Sequence, residues 1–252
     1  MSTVLSAEGI VKRFGSFTAL DGVSFRLERG HTLGIVGESG SGKSTLGRIV
    51  MRLLTPDAGT VRLGDQDLFG LDRRKLRIAR RRIQLVPQDP RNALNPTMTV
   101  GESLRFQLQA QRVPRSEWTR RSGGLLEQVS LPRDYLHAYP HELSGGQAQR
   151  VAIARAIAND PEVLVCDEAV SALDKSVQAQ VLNTFAELQS SLGVAMFFIS
   201  HDLAVVEHLS DDVLVLNRGR TVESGPTRDV LGAPQDPYTR ELLEARHSAR
   251  PA

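Results

Sequence analysis

The segment Gly37-Glu38-Ser39-Gly40-Ser41-Gly42-Lys43-Ser44-Thr45 fits the phosphate-loop pattern G-x-x-x-x-G-K-[ST]. Gly37, Gly40 and Gly42 let the backbone bend so that its N–H groups, those of Ser39, Ser41 and Thr45 among them, point inward at a phosphate chain. The N-terminus of the following helix adds positive potential. Lys43 is placed to reach the β- and γ-phosphates of a nucleoside triphosphate, and the Ser44 hydroxyl to bind Mg²⁺. A plain strand-to-helix turn would need only part of this pattern. Far downstream, Leu143-Ser144-Gly145-Gly146-Gln147 forms a second glycine-rich segment at a helix start. Ser144 is a good N-cap, which alone would account for the segment. In the functional reading, Ser144, Gly145, Gly146 and Gln147 expose a helix N-terminus that grips a γ-phosphate. A chain with one complete cradle and one spare grip is expected to close its site against a second molecule.

The apolar run Val163-Leu164-Val165-Cys166 ends in Asp167-Glu168. At the carboxyl end of a strand both acids can face a nucleotide crevice. Asp167 suits the Mg²⁺ hydration shell. Glu168 suits the general base that orients and deprotonates the attacking water, a role worth roughly 10²–10⁴ in rate. Gln88 follows the run Ile83–Val86 and Pro87, where its amide can touch Mg²⁺ and water. His201 follows Ala195–Ser200 and can donate to the γ-phosphate, and Asp174 lies just past the acids in Ser171-Ala172-Leu173-Asp174. Taken singly, each of these three is more often a surface polar residue; each gains from its place after a strand that ends near the nucleotide. Phe14 is the candidate platform for the base, with Phe17 competing and core packing open to either. Stacking there is worth roughly 1–3 kcal/mol by analogy with nucleic-acid bases.

These residues need a sheet to bring them together. Residues 3–36 read as strands, with strict alternation at Val23–Leu27 and a short apolar run at Leu33–Val36. A helix is expected from about Lys43 to Leu54, stopped near Pro56-Asp57. Short strands follow at Val61–Leu63 and Ile83–Val86, separated by the very basic Arg73–Arg82, a solvated helix. From about Asp89 to Asp160 helical patterns dominate, at Val100–Gln111, Ser116–Val129 and Ser144–Ala158, punctuated by prolines. Strands resume at Val163–Cys166, Val194–Ile199 and Val213–Leu216, with helices Ser176–Leu192 and Leu203–Leu209 between them. Strands alternating with helices imply a parallel sheet covered on both faces. The tail after Gly225 reads as helical, with a frayed end over Arg246–Ala252.

Bulk properties narrow the class. Of 252 residues, 40% are hydrophobic and 24% charged, as in ordinary globular proteins. The net charge of +2 is too weak to argue for nucleic acid. One cysteine, Cys166, excludes an intrachain disulfide or a cysteine-rich metal cluster and fits a reducing cytoplasm or a cysteine-poor secreted chain equally. There is no apolar run of the about 18 residues that a transmembrane helix needs, and no signal-peptide pattern is expected at the N-terminus. Work at a membrane would then depend on another chain.

The order of phosphate loop, Gln88, Leu143–Gln147, Val163–Glu168, Ser171–Asp174 and His201 resembles the ATP-binding subunits of ABC transporters over nearly the whole chain. Gln88-Asp89-Pro90, Ala93–Pro96, Tyr139–Leu143 and the tail Asp236–Leu243 resemble the oligopeptide, dipeptide and nickel importer branch. The resemblance implies a P-loop NTPase (RecA-like) α/β core with an N-terminal antiparallel β subdomain and an inserted helical subdomain. The nucleotide-binding domain would span residues 1–225, with the helical subdomain at about 89–160, and a short helical tail residues 226–252. It implies an ATP hydrolase using ATP and Mg²⁺, driving uptake of a peptide, nickel or metal–chelator solute. ATP on Lys43, Ser44 and Asp167 would be covered by the partner's signature segment in a head-to-tail pair. Implied partners are a second ATPase subunit (the branch favours a paralogue, and a homodimer is open), two transmembrane permeases and, indirectly, an extracytoplasmic solute-binding protein. No nucleic acid is implied. The expected location is the cytoplasmic face of the membrane, held through the permeases. A soluble ABC-type ATPase acting on nucleic acid or ribosomes, and an exporter subunit, are the alternatives. Three positions depart from the usual pattern: Ala169 where proline follows the catalytic acid, Ala148 where a basic residue follows the signature, and Asp236 where histidine is common.

Overall fold

The computed structural model describes residues 2–248, with side chains as far as residue 245. The alternating N-terminal sequence forms β1 (Thr3–Phe14) and β2 (Phe17–Glu28), an antiparallel hairpin that buries Val23, Phe25 and Leu27 and exposes Ser24 and Arg26. Strand β3 (Thr32–Val36), buried at every residue, runs into the glycine-rich loop and α1 (Lys43–Val50). Strands β4 (Ala58–Leu63) and β5 (Gln66–Asp67) join the hairpin in a sheet of order β2-β1-β4-β5. The basic helix α2 (Arg73–Arg82) is capped by Asp72, buries only Ala79, and leads to β6 (Ile83–Val86). Four α-helices follow before the chain returns to the sheet: α3 (Pro90–Ala93), α4 (Val100–Ala110), α5 (Trp118–Gln128) and α6 (Gly145–Ile157). Then β7 (Val163–Asp167), α7 (Lys175–Leu192), β8 (Ala195–Ile199), α8 (Leu203–Leu209) and β9 (Asp212–Asn217) alternate. Strand β10 (Arg220–Pro226) and helices α9 (Thr227–Gly232) and α10 (Pro237–Ser248) end the described chain.

The second sheet has the order β10-β9-β3-β8-β7-β6; its pairs are parallel except β10 with β9. Side chains of a strand alternate faces, so an apolar strand serves two cores. In β7, Val163 and Val165 join a core shared with the first sheet and α1. Leu164 and Cys166 join another, shared with α4–α7. Cys166 is fully buried, and burial pushes its thiol far above the usual range.

Three differences from the expected elements bear on the chain's path. Helix α1 ends at Val50 rather than near Leu54, because Arg52 takes a left-handed conformation at φ 50°. Strand β10, with Val222 its lone large apolar residue, had no periodic signal. It forms because Arg218 and Gly219, at φ 48° and 80°, make a tight turn that folds it back on β9. Helix α10 continues to Ser248, inside the end expected to fray, and the last residues of that end, 249–252, lie outside the described residues.

Arg82 and Glu162 clamp the amino ends of β6, β7 and β8. Arg82 Nε and Nη2 donate to the two Glu162 carboxylate oxygens at 2.6 and 2.9 Å, and the backbone of Glu162 bonds to Arg82 and Ala195. The hydrogen bonds from Arg82 hold the Glu162 carboxyl below its usual range, outweighing burial. A depressed pKa stabilises the fold above the unfolded-state value, and that stabilisation is lost as pH falls through the folded-state value. Glu162→Gln is therefore expected to cost about 1 kcal/mol at pH 7. The difference from wild type shrinks below about pH 4, which denaturant midpoints at the two pH values measure.

Candidate nucleotide site

Loops leaving the carboxyl ends of β3, β6, β7 and β8 converge at one edge of the parallel strands, the usual crevice of such a sheet. The loops after β3, β7 and β8 border a cavity of about 450 Å³. Ser39, Gly40, Gly42, Lys43, Ser44 and Thr45 form one wall, Glu168 and His201 the facing wall, and Phe17 and Ala19 of β2 the rim. The loop is seated on its neighbours at two glycines. A Cβ on Gly37 (φ 144°) would stand 2.1 Å from the Leu216 carbonyl oxygen, and one on Gly42 (φ 109°) 2.6 Å from that of Ala19. Helix α1 begins at Gly42 without a capping side chain, whereas Asp72, Thr99, Ser144 and Asp174 cap α2, α4, α6 and α7. The uncapped N-terminus suits an anionic ligand.

Lys43 is buried, and its Nζ donates to the carbonyls of Gly37 and Glu38, each at 2.7 Å. Burial pushes its ammonium below the usual range, against the attraction of Glu168, Asp167 and Glu38. At the end of β7, Asp167 Oδ1 accepts from Ser44 Oγ at a long 3.5 Å. Burial, then the charge of Glu168, pushes the Asp167 carboxyl up; Arg48, Ser44 and Lys43 oppose this. Glu168 is held hard. Its backbone sits at φ 49°, a conformation that costs a non-glycine residue on the order of 1–3 kcal/mol. Its N–H donates to Ile199 O at 3.0 Å, and its carbonyl accepts from Ser171 N and Oγ at 3.1 and 2.9 Å. Gln88 Nε2 donates to Glu168 Oε2 at 3.1 Å, and His201 Nδ1 stands 3.4 Å from Oε1. One carboxylate is thus aimed from both sides.

The other sequence-predicted residues lie elsewhere. Gly37 and Ser41 are in the loop but behind the cavity lining, Ser41 buried with its hydroxyl unpartnered. Phe14 is about half exposed with Lys12 Nζ 5.5 Å from its ring, and Phe17 is the aromatic residue that lines the cavity. Ser144 and Gln147 make a reciprocal capping box on α6, and Gln147 Nε2 also donates to Tyr135 Oη at 2.7 Å. The Gln147 side chain is therefore spent within its own subdomain. Gly146 lets α6 meet α7: a Cβ there would lie 2.2 Å from Val177 Cγ1. The Asp174 carboxylate accepts from Val177 N and Ser176 Oγ, and these bonds hold it below the usual carboxylate range. None of Ser144, Gly145, Gly146, Gln147 and Asp174 borders the cavity. Buried Gln149 links the two regions by donating from α6 to Pro87 O, beside Gln88, at 3.3 Å. Ala148 and Ala169, where the resemblance pattern has a basic residue and proline, are both buried. Sequence reasoning missed Tyr238, whose hydroxyl accepts the Glu38 N–H at 3.0 Å. Nothing local in the sequence signals that contact.

The family model described as "ABC transporter" matches residues 20–171. A Brucella ovis protein, provisionally named as a peptide import ATP-binding protein, is 48% identical over 253 residues, covering 98% of this chain and 80% of its own length. The dipeptide transport ATP-binding protein DppF of Escherichia coli is 46% identical, covering 92% of this chain and 70% of its own. Among solved structures, an ATP-binding cassette dimer in a post-hydrolysis state bound to ADP and Pi superposes with a TM-score of 0.77 at 29% identity, covering 89% of this chain and 99% of that one.

Proposed function

This chain belongs to the ABC transporter family, as an ATP-binding and ATP-hydrolysing subunit of the peptide importer branch, and from that premise we propose how its residues divide the work. ATP lies in the cavity with its phosphates on the loop 37–45, and Glu168 is the general base for the attacking water. The convergence of Gln88 and His201 on the Glu168 carboxylate is the observation that carries this reading. A base held between two partners and fixed at its backbone is oriented before the substrate arrives, which is the geometric requirement for proton abstraction. Gln88 positions the carboxylate through Oε2, and His201 stands where it can also reach a γ-phosphate. Phe17, with Phe14 nearby on the same hairpin, offers an aromatic face to the base.

The donor set fits Mg²⁺. Ser44 hydroxyl and Asp167 carboxylate are hard oxygen ligands, and the Asp167 carboxyl is pushed up by burial and by Glu168, a charge that a cation would relieve. Ser44, Asp167 and the Gln88 amide would hold the ion, and when bound it would offset charge on the β- and γ-phosphates.

The signature segment Leu143–Gln147 serves the ATP of a partner subunit in a head-to-tail pair, with Ser144, Gly145 and Gly146 at the contact and Asp174 beside them. Its place outside this chain's own cavity supports that reading. The division into residues 1–225, with the helical subdomain at about 89–160, and a tail from 226 accords with α3–α6 falling between β6 and β7. Among the described residues no helix is long and apolar enough to cross a membrane. We infer that two permease chains, as the family implies, hold the subunit at the cytoplasmic face of the membrane, docking between the core and the helical subdomain. There a cavity of about 340 Å³ is lined by Met51 and Leu53 from one side and Gln107 and Arg155 from the other. An extracytoplasmic binding protein delivers the solute, a peptide, nickel or a metal chelate, and the partner ATPase is a paralogue or a second copy. A pull-down in mild detergent is expected to recover two membrane-spanning chains and an ATPase partner. Recovery with ribosomes in their place would contradict the assignment.

A further inference from the structure

The tail residue Tyr238 reaches the phosphate loop across 200 positions of sequence, its Oη accepting the Glu38 N–H at 3.0 Å. The turn that carries it is firmly anchored. Glu223 Oε1 and Oε2 accept the N–H groups of Gln235 and Asp236 at 2.9 and 3.2 Å. Asp236 Oδ1 accepts the Tyr238 N–H at 2.8 Å, so aspartate at this position caps α10. Thr239 is buried, and Tyr238, Leu242 and Leu243 pack on a core that includes Val36, the residue immediately before the loop. Burial, the largest influence on it, pushes the Tyr238 phenol above its usual range, so it stays protonated at neutral pH.

On the loop side, the Gly37–Glu38 peptide is gripped twice. Its N–H is held by Tyr238, and its carbonyl, that of Gly37, accepts from Lys43 Nζ at 2.7 Å. When the Lys43 ammonium turns to a phosphate chain it releases that carbonyl, and the Tyr238 hydroxyl then holds the peptide from outside the loop. We propose that Tyr238 is a positioning residue for nucleotide binding, fixing the outer arm of the phosphate loop in the conformation that receives ATP and tying that conformation to the C-terminal tail. The proposal rests on the reading of this cavity as an ATP site.

The test is equilibrium binding of Mg–ATP to the full-length chain by calorimetry, for wild type, Tyr238→Phe and Tyr238→Ala, with thermal unfolding of each. Tyr238→Phe keeps the packing and removes only the hydroxyl. It is expected to weaken binding about three- to tenfold, the worth of one hydrogen bond, with an unfolding midpoint lowered less than in Tyr238→Ala. Tyr238→Ala is expected to weaken binding at least as much and also to unfold earlier. In the assembled complex Tyr238→Phe raises KM for ATP by the same factor and leaves kcat unchanged. Wild-type affinity in Tyr238→Phe would overturn the proposal, as would weakening confined to Tyr238→Ala and matched by its lost stability. Failure of the wild-type chain itself to bind Mg–ATP would instead remove the nucleotide reading, and this proposal with it.

Discussion

Glu168→Gln is expected to lower ATP turnover of the assembled complex by roughly 10²–10⁴-fold while ATP binding persists. The substitution keeps the shape of the side chain and removes its capacity to take a proton. The surroundings of Glu168 make this a clean test. Its left-handed backbone is held by Ile199 and Ser171 through main-chain contacts that an amide side chain leaves in place. Lys43, Ser44 and the loop N–H groups proposed to receive phosphate belong to the other wall of the cavity. Removing the Glu168 charge also takes away the second-largest influence raising the Asp167 carboxyl, so the carboxylate proposed to hold Mg²⁺ ionises more readily. Binding is therefore maintained or strengthened while hydrolysis stops. Steady-state turnover measured beside nucleotide affinity separates the two effects, and unchanged turnover would remove Glu168 from the role of base.

The parts of the site legible in the sequence are those whose chemistry is local. The phosphate loop, Asp167-Glu168, Gln88 and His201 each follow directly on an apolar strand, so their convergence follows once the strands are parallel neighbours in one sheet. The separation of the signature segment from the cavity was also legible, as a spare grip with no place in a site already complete. Features set by distant chain segments were not. Strand β10 depends on a turn and on pairing with β9 rather than on its own periodicity. The commitment of Gln147 to Tyr135 and Ser144 depends on how α6 packs in its subdomain. Phe14 and Phe17 are both exposed on one hairpin, and only the placement of β2 against the loop puts Phe17 on the cavity rim. The bond from Glu38 to Tyr238 joins residues with no shared motif.

The central claim is that this subunit is half of two sites: its cavity binds its own ATP and its signature segment acts on a partner's. Ser144 heads α6, outside the cavity, with its Oγ accepting the Gln147 N–H at 3.3 Å. An acidic side chain there would meet the γ-phosphate of the partner's ATP, and like charges in contact cost several kcal/mol. The same change lies away from the residues that line this chain's own cavity. The most direct measurement is ATP affinity of the isolated Ser144→Glu subunit set beside turnover of the assembled complex carrying it. The expected result is an affinity equal to wild type and a turnover lower by at least about tenfold. An isolated subunit whose own ATP affinity falls as far as its turnover would place the segment in its own site and contradict the account.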